Sequence, residues 1–189
     1  MIFRPEILLL PILMIADYYL TILGAILREK KYGEYFPIET YEMNPTYQDD
    51  IDSKRLFNPR FIGQLILNFG LLFLASLFLT DALEFLYWII LGFYLTLFAY
   101  INGLHMSNIL SFLFVKSNPN VMKSEIRISH RYNLYSSLFT NSVLLLPVIF
   151  ILLFSYSHFI LGSLIAVLYN AFLCLMWIAK NRKSSKSET

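Results

Sequence analysis

Few side chains in this chain could do chemistry, and most fall at helical spacing inside apolar sequence. Asp17 stands in an otherwise uncharged run, with Thr21 one helical turn further along the same face. A carboxylate in hydrocarbon costs about 2.5–3.5 kcal/mol or more at the centre of a bilayer, so Asp17 requires a partner or a water-filled cavity. Two readings follow. Asp17 is either a protonated hydrogen-bond donor that glues two helices together, or part of a proton, metal or polar-ligand site.

A second polar stripe carries Asn102, His105 and Asn108 at steps of three, continued by Ser111. A third carries His130, Asn133, Ser137 and Asn141 at steps of three and four. Stripes on consecutive antiparallel helices are expected to meet, either as an interhelical hydrogen-bond seam or as a site in which His105 and His130 ligate or carry protons. The spacings of zinc motifs, His-x-x-x-His and His-Glu-x-x-His, do not occur. Any metal here is expected to be a divalent ion on Asp17, Glu42 and His105. Cys174 is the single cysteine, which excludes an intrachain disulfide; it is expected to pack as a small hydrophobe. His158 falls in a short turn and receives no role.

Between residues 28 and 60 lies a polar segment too long for a plain connection. It includes Tyr32, Tyr35, Phe36, Tyr41 and Tyr47, a density of aromatic residues suited to the headgroup level of a membrane. Its Asp49-Asp50-Ile51-Asp52 run lacks the glycine and terminal glutamate of a calcium loop, so it reads as a solvated acidic turn. Asp17-Tyr-Tyr-Leu20-Thr21, followed by Glu42-Met43-Asn44-Pro45, resembles the Asp-x-x-Leu-Thr and Glu-x-Asn-Pro pattern of small, uncharacterised prokaryotic multi-span membrane proteins. The match covers the N-terminal end of the chain. It implies that Asp17, Thr21, Glu42 and Asn44 work as a unit, and it brings no activity with it.

The elements that must position these residues are five apolar blocks, at about 6–27, 61–80, 82–104 (extending to 115), 135–156 and 159–179. Of the 189 residues, 57% are hydrophobic, and they are gathered rather than spread at amphipathic spacing. A bilayer core of about 30 Å is crossed by about 20 helical residues. The blocks show no strand-like alternation, so the expectation is an all-α, polytopic membrane helix bundle of five transmembrane helices, one domain over 1–179. Tight hairpins must join the second block to the third and the fourth to the fifth. The third and fourth helices are expected to be long and to extend into the cytoplasm; the alternative is a break near Gly103 with an interfacial helix after it. Residues 180–189 are expected to be a disordered cytoplasmic tail.

Charge supplies the orientation. With the N-terminus outside, one side of the membrane receives every Lys and Arg except Arg4. That is a strong positive-inside pattern, and it makes 28–60 a cytoplasmic loop and the C-terminus cytoplasmic. The basic residues follow the first block, at Arg28, Lys30 and Lys31, and no Ala-x-Ala site follows it, so the first helix is expected to be retained rather than cleaved. A net charge of +2 offers nucleic acid no footprint.

Together these features suggest a multi-pass protein of the cell membrane. Its candidate polar pocket faces the cytoplasm between the first, third and fourth spans. A lipid- or partner-binding or accessory role is expected first, with membrane lipids, a protein partner or a homo-oligomer as partners. An intramembrane enzyme acting on a lipid or isoprenoid, with Glu42 or His105 as general base, comes second. A proton-coupled transporter comes third.

Overall fold

The computed structural model describes residues 4–29, 42, 44, 46–118 and 130–186, without the side chains of 130, 131 and 181–186. Six helices account for almost all of them: α1 (Leu9–Glu29), α2 (Gln48–Asp52), α3 (Pro59–Phe78), α4 (Glu84–Ser117), α5 (His130–Ser155) and α6 (His158–Lys186). Short 3-10 turns, Pro5–Leu8 and Asp81–Leu83, lead into α1 and α4. No strand occurs among the described residues. Every helix but α2 is long and apolar enough to cross a membrane.

α4 runs unbroken through Gly103, so the third block does not end in a separate interfacial helix. Its 34 residues reach about 50 Å at 1.5 Å per residue, well beyond a hydrocarbon core. α6 continues to Lys186, so the expected tail is helical over 180–186, and 187–189 lie outside the described residues. Lysine and arginine are good helix formers, and cations at a helix C-terminus are favoured by the helix dipole. That combination carries the helix past its apolar part.

α1 and α4 run parallel. Arg4 pairs with Glu84 at 3.2 Å, Tyr87 donates to Glu6 at 2.9 Å, and Asn102 donates to the Leu13 carbonyl at 2.9 Å. Each step along α1 is thus matched by a step in the same sense along α4. Ile7, Leu10, Met14, Leu72, Tyr87 and Leu91 form the buried cluster at that end. The Arg4 guanidinium lies over the Tyr87 ring, 4.2 Å from its centroid, a cation–π contact that fixes the start of α1 on α4.

α6 packs on α4 through two glycines. A Cβ on Gly92 would collide with the Phe159 carbonyl, and one on Gly162 with the Ile89 carbonyl, so only glycine permits the approach. Thr96 donates to Ser163 at 2.7 Å beside that crossing. Small residues that let backbones meet, plus hydroxyl bonds, are what holds helices together where water provides no drive.

α5 then packs chiefly against α6. The expected meeting of the α4 and α5 polar stripes is therefore corrected, because α6 has taken the adjoining face of α4. Asn170 of α6 donates to Asn141 at 3.1 Å, and the Cys174 thiol reaches Ser137 at 3.5 Å. Asn141 and Cys174 are fully buried. Cys174 thus packs as a small side chain in this seam. The helices α1, α4, α6 and α5 form a row, with α3 beside α1 and α4.

Candidate functional site

α1 and α4 bring Asp17, Thr21 and His105 together. His105 Nε2 lies 3.1 Å from Asp17 Oδ1 and 3.0 Å from Thr21 Oγ1. Thr21 donates its one proton to the Asp17 backbone carbonyl at 2.7 Å. Its oxygen can then only accept, so Nε2 must carry a proton, shared between the Thr21 hydroxyl and the Asp17 carboxylate. Thr21 is buried, and the Asp17 and His105 side chains are mostly so. Spacing alone singled out each of these residues, and the parallel register of the two helices joins them.

Glu42 approaches this trio from the loop. Its carboxylate accepts the Asn44 backbone N–H at 2.7 Å, and Asn44 Oδ1 accepts the Thr46 N–H at 3.0 Å. Asn44 thus builds the turn that presents Glu42, which is the local reason for the Glu-x-Asn-Pro spacing. Gln48 Nε2 donates to the Glu42 carbonyl at 3.1 Å. Burial pushes the Glu42 carboxyl up to about 7; the Asn44 N–H opposes this, the negative Asp17 adds to it, and His105 opposes it again. Glu42 therefore feels both Asp17 and His105.

Asn102 lies one turn from His105 on α4. Its amide nitrogen donates to the carbonyls of Leu13 and Phe98, at 2.9 and 2.7 Å. Both neighbours are acceptors, so the nitrogen must face them. Oδ1 is then left buried without a hydrogen-bond partner among the described residues.

The remaining candidates lie elsewhere. Asn108 and Ser111 are exposed on α4, and Ser111 bonds back to its own helix. Asn133 is half-buried on α5, and Asn141 belongs to the α5–α6 seam. His130 opens α5, with its side chain outside the described set. The site is thus built by the first and third spans and the loop, and the fourth span contributes nothing to it among the described residues. No three His, Cys, Asp or Glu side chains among those residues converge as a metal-binding group.

A roof that the sequence did not advertise lies over α1. Ile51 of α2 is buried against Tyr18, Ile22 and Ala25. Asp50, expected to be solvated, is buried; Arg55 bonds it at 2.9 Å and Asn58 at 2.7 Å. Asn58 also caps α3, accepting from the N–H groups of Arg60 and Phe61. The Tyr18 hydroxyl donates to the Arg55 carbonyl at 2.6 Å, and its ring stacks on Phe61 at 4.4 Å. Asp17 therefore lies level with the first turn of α3, not at the middle of the bundle. The signal was the Asn58-Pro59 start of a helix; nothing in the sequence tied that start to Tyr18.

Fold and site together define a multi-pass helical membrane bundle with a polar cluster at the end of the bundle where α3 begins. Comparison with protein families, with curated proteins and with solved structures gives no match for this chain.

Proposed function

We propose that this protein binds a polar lipid headgroup at the Asp17–Thr21–His105 cluster, with Glu42 closing the site from the loop. The observation that carries this reading is the level of the cluster. α3 holds 20 residues, about 30 Å of helix, so it has just the length of the hydrocarbon core, and its first turn marks one boundary. The cluster lies at that boundary, where a lipid presents its headgroup.

The surroundings agree. Leu56 and Phe57 are 64% and 73% exposed, between Arg55 and Arg60. Apolar side chains dipping inward beside cations at the surface are the pattern of an interfacial segment. The positive-inside count makes this boundary the cytoplasmic one. The parts of α1 and α4 beyond it then stand in the cytoplasm, with the N-terminus outside.

Native mass spectrometry of the full chain, extracted in mild detergent, tests the reading. The wild type is expected to retain lipid that Asp17→Asn and His105→Ala lose. Equal retention by all three overturns it.

A second reading rests on the Glu42 carboxyl, pushed up to about 7 by burial within the electrostatic reach of the His105 imidazole. That pair suits proton transfer in a lipid-active enzyme. In its metal-dependent form the purified protein carries stoichiometric divalent metal, which elemental analysis measures.

A further inference from the structure

The donors and acceptors of the cluster do not balance, and the imbalance defines the ligand. The Thr21 hydroxyl proton is used on the Asp17 carbonyl. The His105 Nε2 proton is used on Asp17 and Thr21. The Asn102 amide gives its protons to Leu13 and Phe98. What is left over is acceptor capacity: the second oxygen of the quarter-exposed Asp17 carboxylate, and the buried Asn102 Oδ1. With the single ring proton on Nε2, the buried His105 Nδ1 is an acceptor as well. A buried acceptor left unmade costs about 1–3 kcal/mol, so this site is built to receive protons on nitrogen or oxygen. Asp17 adds negative charge to that preference. An anionic group would bring further acceptors and like charge to the same place.

We infer that the group bound here is a protonated amine, an ammonium bearing N–H donors, carried by an aminoethyl lipid headgroup or by a free primary amine. This rests on the headgroup-binding reading above and specifies its ligand. A quaternary ammonium has the charge without the donors and fits less well, and a phosphoglycerol headgroup lacks the charge.

The test uses the full chain in lipid nanodiscs. Phosphatidylcholine discs are doped with phosphatidylethanolamine or with phosphatidylglycerol, and ethanolamine is added to the buffer in a third series. Bound lipid is counted by native mass spectrometry and thermal stability is followed by fluorescence. Phosphatidylethanolamine is expected to be retained and to raise the melting temperature. Asp17→Asn, which keeps the volume, is expected to weaken that preference about tenfold or more, the worth of one charge-assisted hydrogen bond. Asn102→Leu removes the buried acceptor and is expected to weaken it also.

Competition by free ethanolamine without lipid retention identifies the free amine as ligand; retention that ethanolamine does not displace identifies the lipid. Equal retention of the three lipids, with loss in the cluster variants, overturns the amine while leaving headgroup binding intact. Retention of no lipid and no response to ethanolamine overturns both. Circular dichroism of each variant separates loss of binding from loss of fold.

Discussion

At the scale of single residues, the chemistry depends on Asp17 having found a partner. His105 reaches its carboxylate, Thr21 bonds its backbone carbonyl and the His105 ring, and Glu42 sits in the same field. A carboxyl held at about 7 in the fold, against an ordinary value near 4.5, binds its proton more tightly folded than unfolded. Its neutral form is therefore favoured by the fold. Stability is undiminished below about 4.5, falls as pH rises through the window to about 7, and stays lowered above it. Melting temperatures taken at intervals from pH 4.5 to 8 should decline for the wild type across that window. Glu42→Gln, which cannot ionise, should remove the part of the decline due to this group; an unchanged slope would show that Glu42 is not buried in its charged field. The sequence revealed Asp17, Thr21, Asn102 and His105 because polar groups inside apolar helices are costly and so stand out, and it pointed to Glu42 and Asn44 of the loop through the Glu-x-Asn-Pro pattern. It also put Asn108, Asn133 and Asn141 on the same list, because spacing gives a face and not the neighbour that the face meets.

At the scale of elements, the helices were legible and their contacts were not. Apolar runs of about 20 residues declare spans whatever packs beside them. The order of the row depended on Gly92 and Gly162, two glycines among seven. Replacing Gly92 by alanine sets a methyl group against the Phe159 carbonyl, and forced overpacking of this kind costs typically 1–3 kcal/mol. Gly162→Ala meets the Ile89 carbonyl in the same way. Gly103 has open space at the Cβ position, so Gly103→Ala should be neutral or stabilise by up to about 1 kcal/mol through helix propensity. Thermal unfolding in detergent compares the three; similar effects at all of them would refute the close α4–α6 crossing. The roof is a second such case. Asn58→Ala removes the cap of α3 and the partner of Asp50 together, and should cost at least the roughly 1 kcal/mol of an ordinary cap. Protease cleavage in segment 46–58 should quicken with it, while Asn118→Ala at the far end of α4 should leave it unchanged.

At the scale of the whole molecule, the row of helices makes the length of α3 decisive. α3 covers a bilayer thickness, whereas α1 and α4 pass its first turn and carry on with Asp17 and His105 at the crossing point. Asp17 stands inside an apolar block, which by itself puts it in hydrocarbon. Tyr18 stacked on Phe61 sets that level beside the first turn of α3, which is the boundary in the reading proposed above. In that reading the site exchanges with the headgroup layer, and the cost of a carboxylate falls accordingly. Depth can be read by spin-label accessibility to oxygen and to a nickel complex, in a Cys174→Ser background. Tyr19→Cys reports the level of the cluster from an exposed position, and Leu71→Cys reports α3 about 15 Å further along, near the middle of the hydrocarbon. The account predicts a label at 19 in the headgroup layer and a label at 71 deep among the acyl chains. Equal, deep immersion of both would contradict it.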